Sequence, residues 1–173
     1  IIIMGLDNAG KTSIVLSLKG NKNLLSYYSL APTKDRSIEK VEALGGQRFS
    51  IWDFGGQKIY RDDHLQNFEN YIKKTEKIIY VIDVQDIERY DVSLDFLEQI
   101  LIKFKKTHLG VNLSIFLHKY DPDLFSRHPE LNDDKIEVLI QKIQKIISTL
   151  DSTLTYKVFK TSIYTIFSKT PVI

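Results

Sequence analysis

IIIMGLDNAGKTS, Ile1 to Ser13, decides how the rest of the chain is read. It fits the spacing G-x-x-x-x-G-K-[ST] with Gly5, Gly10, Lys11 and Thr12. The apolar run Ile1 to Met4 precedes the first glycine, and a helix-compatible segment, Ser13 to Lys19, follows. A strand, a glycine-rich turn and a helix start, in that order, are the context the pattern needs. The helix leaves with its N-terminus aimed into the turn. Unpaired N–H groups and the helix dipole therefore make an anion site, to which Lys11 adds a mobile positive charge. The stretch reads as a phosphate-binding loop. Thr12 is placed to put its hydroxyl on a magnesium ion, which favours hard oxygen ligands.

Working outward, Ile14, Leu16 and Leu18 give the helix its apolar content, and Gly20 and Asn21 are stop residues. Lys22 to Lys34 lacks periodicity and reads as a loop over the nucleotide. Ile38 to Leu44 and Gln47 to Phe54 are predicted strands joined by a hairpin at Gly45-Gly46. Gln57 to Thr75 is polar with scattered Leu65, Phe68, Tyr71 and Ile72, so a loop and helix are expected. Lys77 to Asp83 is almost continuously apolar, as in a strand buried on both faces, and Leu113 to Leu117 is another, ended by His118. Helical spacing runs from Val92 to Phe104 and from Asp133 to Leu150, the latter with Asp133 or Asp134 as its cap. Tyr156 to Phe159 is a last short strand. Strands alternating with helices predict an α/β fold: a mostly parallel six-stranded sheet, one antiparallel edge strand, and helices on both faces.

The bulk properties narrow the function classes. At 173 residues the chain suits one domain with a single core, and 43% hydrophobic with 27% charged residues is ordinary for a globular protein. A net charge of +2 gives no strong pull towards nucleic acid or an anionic membrane. With no cysteine there is no disulfide framework or thiolate metal site, which fits a reducing, cytoplasmic compartment. No apolar run approaches the roughly 18 residues of a membrane span, and no signal peptide is visible. The first strand opens at Ile1, and starting at Met4 would delete it, so native residues are expected before Ile1.

In such sheets ligands sit beyond the carboxyl ends of the strands, where Asp53, Gly56, His118 to Asp121 and Thr161-Ser162 all fall. Asp53 ends the strand FSIWDF and would hold magnesium through water. Gly56 lets a backbone N–H approach a terminal phosphate, and Gln57 would orient the attacking water, because an amide both accepts and donates. Asp121 matches the two adjacent donors of guanine and mispairs with adenine. The Lys119 stem would lie along the base face. His118, at a strand end, reads as a packing residue. Thr161-Ser162-Ile163 offers a backbone N–H to the guanine oxygen. Tyr27-Tyr28 would either stack over the nucleotide or cover the sheet edge. Lys73-Lys74, Lys77 and the run Lys103 to Lys106 would meet an acidic partner or lipid head groups, or be solvated helix faces.

GLDNAGKTS, WDFGGQ, HKYD and TSI, in this order and spacing, resemble the small GTPases of the Ras superfamily. GLDNAGKT and WDFGGQ are most similar to the Arf and Arf-like branch, whereas HKYD, IYVIDVQD and KTSIY look more like the Rag (Gtr) branch. The resemblance covers nearly the whole chain and implies a Ras-like G domain over residues 1–173. It implies phosphate contacts from Asp7, Asn8, Ala9, Gly10, Lys11, Thr12 and Ser13, with Gly56 near the terminal phosphate. It further implies magnesium on Thr12 and Thr33, and a base site of His118, Lys119, Asp121, Ser162 and Ile163. Gln57 and Lys11 become the expected catalytic residues of a GTP-to-GDP switch. Effector, exchange and GTPase-activating proteins are implied, with a Rag-like dimer as an alternative in which catalysis is vestigial. Membrane contact is expected only through a segment outside this chain. Asp7 stands where Ras has Gly and Arf has Asp. KDRS after Thr33 departs from the Arf pattern, and IYTIFSKTPVI after Ser162 is short for the family's last helix.

Overall fold

Strand β1, Ile2–Gly5, is buried at every position, because a strand lies along each of its edges and a core covers each of its faces. It pairs in parallel with β3 (Arg48–Phe54) and β4 (Lys77–Asp83). The computed structural model describes residues 1–20, 23–42, 48–73, 75–105 and 110–164. Among them β2 (Arg36–Glu42), β5 (Asn112–His118) and β6 (Tyr156–Lys160) complete a six-stranded sheet of order β2-β3-β1-β4-β5-β6. Only β2 with β3 is antiparallel, from Arg36 opposite Phe54 to Glu42 opposite Arg48. The predicted hairpin is therefore present as a ladder, while its proposed turn at Gly45-Gly46 lies outside the described residues.

Alternation along the strands divides the interior into two cores. Ile2, Met4, Ile78, Tyr80 and Ile82 face α5 (Tyr90–Lys105) and α7 (Asp133–Leu150). Ile3, Ile51, Ile79 and Val81 face α1 (Lys11–Leu18) through Ile14 and Val15. In α7, Ile136, Leu139, Ile143 and Ile147 form the buried stripe. Buried Tyr80 keeps its hydroxyl satisfied by donating to the Ser93 carbonyl at 2.6 Å.

Several boundaries differ from the sequence reading. Helix α1 starts at Lys11 rather than Ser13, directly after Gly10 in the left-handed region (φ 85°). The segment read as a loop from Lys22 to Lys34 contains α2 (Leu24–Tyr28), with Asn23 accepting from the Leu25 N–H. Helix α2 buries no residue, so it left no hydrophobic period to detect. The polar stretch after Gln57 forms α3 (Lys58–Gln66) and α4 (Phe68–Ile72). A 3₁₀ turn at Ile87–Arg89 and α6 (Leu124–Arg127) are too short to carry a period. Asn132, not Asp133 or Asp134, caps α7, accepting from the Lys135 N–H at 2.9 Å. A cap needs extended backbone, which Asn132 adopts (φ −154°, ψ 174°), whereas both aspartates lie in the first helical turn, where they favour the dipole. Readings at Asn21, Lys74, Lys106 and in the tail from residue 165 onward fall outside the described residues.

Candidate functional site

The carboxyl ends of β1, β3, β4, β5 and β6 deliver the predicted residues to one rim of the sheet. β1 ends at Gly5, and Leu6 to Gly10 carries the chain to α1. Lys11 curls back so that its Nζ donates to the Leu6 carbonyl at 2.6 Å. Only 6% of Lys11 is exposed. Burial pulls its ammonium down to about 8, with Asp53 and Asp7 opposing the shift and Arg61 and Arg89 adding to it.

Two glycines make this packing feasible. A Cβ on Gly10 would lie 2.4 Å from Cδ2 of His118, and the positive φ there already disfavours other residues. A Cβ on Gly56 would lie 2.1 Å from the Asp7 nitrogen, so the segment after β3 touches the loop after β1 backbone to backbone.

At the start of α1 three oxygens from three segments converge. Thr12 Oγ1 donates to Asp53 Oδ2 at 2.6 Å, and Thr33 Oγ1 donates to the same oxygen at 3.2 Å. The two hydroxyls are 3.0 Å apart. Asp53 is 1% exposed, and its Oδ1 has no hydrogen-bond partner among the described residues. Burial raises the Asp53 carboxyl above the ordinary range, while the Thr12 hydroxyl and the Lys11 charge pull it back. A buried carboxylate oxygen without a partner is costly. The donor set is all hard oxygen, and neighbouring ligands of an octahedral magnesium stand about 3 Å apart, so the residues fit that ion.

Thr12 and Thr33 of this cluster line a cavity of about 440 Å³, with Asp53 buried outside its lining. Its walls are Asp7, Asn8 and Gly10 to Ser13, the segment Leu30 to Thr33 with Tyr27, and Gly56 with Gln57. Ala9, also predicted to contact phosphate, is buried behind the wall. Gln57 is exposed, caps α3 with extended backbone, and makes no side-chain capping bond. Tyr27 thus reaches the cavity, whereas Tyr28 is 83% exposed.

The predicted base residues stand apart from that cavity. Lys119, in the left-handed region (φ 61°), pairs with Asp83 at 2.6 Å, and both line an adjoining hollow of about 470 Å³ that shares Asn8. Asp121 accepts from the Ser162 hydroxyl through Oδ1, and from Gln85 Nε2 (3.1 Å) and Arg127 Nη2 (2.7 Å) through Oδ2. Burial alone would raise the Asp121 carboxyl, but these donors outweigh it and hold it below its usual range. Ile163 is exposed beside Ser162. His118 is 3% exposed, bonds Thr161 Oγ1 through Nδ1 at 3.0 Å, and braces Gly10 from beneath. This placement is that of a packing brace. Burial, then the Lys119 charge, lowers its pKa and keeps the ring neutral.

The sequence reading missed the residues that hold this rim from behind. Arg89 reaches Asp7 Oδ1 at 3.1 Å and also pairs with Asp86. Gln85 donates to the Lys119 carbonyl at 2.9 Å as well as to Asp121. The spacing of Asp86 and Arg89 was the one local signal; the other partners are far apart in sequence.

The Gtr1/RagA G protein conserved region matches residues 1–168. Among curated relatives, ADP-ribosylation factor-like protein 3 of Caenorhabditis elegans is 34% identical over 121 residues, 70% of this chain and 60% of the relative. The ADP-ribosylation factor-like protein alp41 of Schizosaccharomyces pombe is 38% identical over 106 residues, 61% of this chain and 52% of the relative. The matches thus span less than two thirds of these relatives' length. Among solved structures, the Arl6 BBS3 small GTPase from Trypanosoma brucei with bound GppNp superposes with TM-score 0.66 at 21% identity, covering 93% of this chain and 84% of that one. The mammalian SRP receptor gives TM-score 0.70 at 17% identity, covering 93% and 89%. Both share the fold.

Proposed function

The chain belongs to the Gtr1/RagA G protein family, a small GTPase family of the Ras superfamily with Arf-like relatives, and on that premise we propose a magnesium-dependent switch that hydrolyses GTP to GDP slowly. The observation that carries this reading is the meeting of Thr12, Thr33 and Asp53, with a buried Asp53 oxygen left over. Thr12 and Thr33 would hold magnesium directly and Asp53 through water. When bound, the ion neutralises charge on the phosphates.

The chain's own residues supply the rest. Lys11 and the N–H groups at the start of α1 hold the outer phosphates. Gln57, exposed on the cavity wall, orients the attacking water by accepting a hydrogen bond from it. Thr33 and the backbone at Gly56 are the parts a terminal phosphate would retain and its loss release. Asp121 reads the guanine edge. Neither arginine near the loop is offered to the phosphates: Arg89 is committed to Asp7 and Asp86, and Arg61 lies over the Phe96 ring at 5.2 Å. Turnover is therefore slow until a partner contributes a charge.

Effector, exchange and activating proteins complete the cycle in this reading. The site of action in this reading is cytoplasmic, at most peripheral to a membrane. The described residues contain no helix long and apolar enough to cross one. Single-turnover GTP hydrolysis tests the proposal. Gln57→Leu should slow hydrolysis by about a hundredfold while leaving nucleotide affinity nearly unchanged. Equal rates for parent and variant would remove Gln57 from the mechanism. GTP that survives long incubation with the parent and magnesium would instead mark a nucleotide-holding subunit.

A further inference from the structure

The Asp121 carboxylate already has an occupant. A carboxylate offers about four lone-pair positions. On Asp121, Ser162 takes one at Oδ1, and Gln85 with Arg127 take both at Oδ2. Guanine presents two adjacent donors and needs both oxygens. One donor finds a free position on Oδ1; the other meets a saturated Oδ2.

We propose that Arg127 is a latch on the base site, closing over Asp121 when guanine is absent and swinging aside when it binds. This rests on the reading that Asp121 receives the base. Of the two groups on Oδ2, Gln85 cannot leave cheaply. Its amide also donates to the Lys119 carbonyl, and its backbone N–H donates to Asp83 Oδ1 at 2.9 Å. Arg127 is differently placed. Its side chain is 48% exposed on α6, a helix of four residues. It already has a second anion, with Nε 2.9 Å from Asp123 Oδ2 and Nη2 donating to Asp123 Oδ1 at 3.0 Å. Rotation towards Asp123 frees Oδ2 without stranding a charge.

Two consequences follow from such a latch. The fraction of protein with the latch open scales the apparent affinity, so closure weakens binding and favours nucleotide exchange. The penalty also depends on the base. Inosine lacks the 2-amino donor of guanine, needs one acceptor position, and can use Oδ1 with the latch closed. Arg127 thereby narrows the protein's preference for guanine over hypoxanthine.

The test is the dissociation constant of GDP and of inosine diphosphate for the parent, Arg127→Ala, Arg127→Lys and Asp121→Asn, with magnesium present. Arg127→Ala should bind GDP roughly two- to fivefold more tightly, the range for a partly exposed ion pair. It should gain less for inosine diphosphate. Arg127→Lys, which keeps the charge but loses the fork, should fall between. A merely structural role for Arg127 would weaken both ligands alike. Unchanged or weaker GDP binding by Arg127→Ala, or equal gains for the two ligands, overturns the latch. If Asp121→Asn loses GDP meanwhile, the base assignment stands alone. If Asp121→Asn keeps its preference for GDP, both the assignment and the latch fall.

Discussion

The expected phosphate end and the expected base end of this rim are built on opposite plans. At the expected phosphate end, Lys11 and Asp53 are almost wholly buried, and Asp53 keeps an oxygen without a partner among the described residues. At the base end Lys119 is paired with Asp83, and Asp121 with Ser162, Gln85 and Arg127. One end carries an electrostatic deficit that a ligand relieves; the other is self-satisfied and exchanges existing partners for new ones. Charge relief should therefore dominate affinity at the first end, and partner exchange should set selectivity at the second.

Removing the buried cation tests the contrast most severely. Lys11→Ala should weaken GDP binding by roughly a hundredfold or more, because a buried charged donor is lost while the phosphates remain. The ratio of GDP to inosine diphosphate affinity should stay as in the parent, since the base end is untouched. A changed ratio in a nucleotide titration would show that the two ends are coupled.

Asp53→Asn should lower the affinity of the nucleotide complex for magnesium by about ten- to a hundredfold. The same substitution removes an incompletely paired buried carboxylate, so the empty protein should melt no lower than the parent. A large fall in melting temperature would mean that Asp53 stabilises the fold through Thr12 and Thr33 rather than waiting for an ion.

Gly10→Ala probes the brace beneath the loop. The methyl group meets His118 at 2.4 Å with φ at 85°, and a cost of about 2 kcal/mol is expected. For a chain of this size that lowers Tm by roughly 4–8 °C. His118→Ala in the same chain should recover part of the loss, because the two changes share one contact. Fully additive losses would place the strain in the backbone alone.

The mildest probe is pH. With its ammonium at about 8 when the site is empty, Lys11 must be protonated to hold phosphate. GDP affinity should be nearly flat below pH 7, fall about twofold from pH 7 to 8 and about fivefold from pH 8 to 9, with proton uptake on binding. The stability of the empty protein moves the other way. From pH 8 to the unfolded value of 10.5 the unfolded chain holds the Lys11 proton and the folded one releases it, so rising pH favours the folded state. Calorimetry in buffers of different ionisation enthalpy reads the uptake directly. No uptake at pH 8.5 would mean Lys11 is already fully charged.

The legibility of the two ends also differs. The phosphate loop lies within one short window, and its strand and helix are periodic enough to read. β4 and α7 were read to their observed ends, because a two-faced buried strand and a long amphipathic helix carry strong patterns. Helices α2 and α6 were missed, since four or five residues complete no repeat. At the expected base end the motif singled out Asp121 and Lys119 but not Gln85 and Arg127, because the contacts that define those two run between separate elements.

By itself the sequence determined the order of strands and helices, the split of apolar residues between two faces, and the chemistry available at each strand end. Periodicity and backbone restriction are local, so they survive in one dimension. Only the tertiary structure decided which neighbours those residues meet: that His118 lies under Gly10, that Arg89 holds Asp7, and that Arg127 sits where guanine is expected. Pairing between charges falls off within a few ångströms and takes no account of sequence separation, so it exists only once the sheet has brought the segments together.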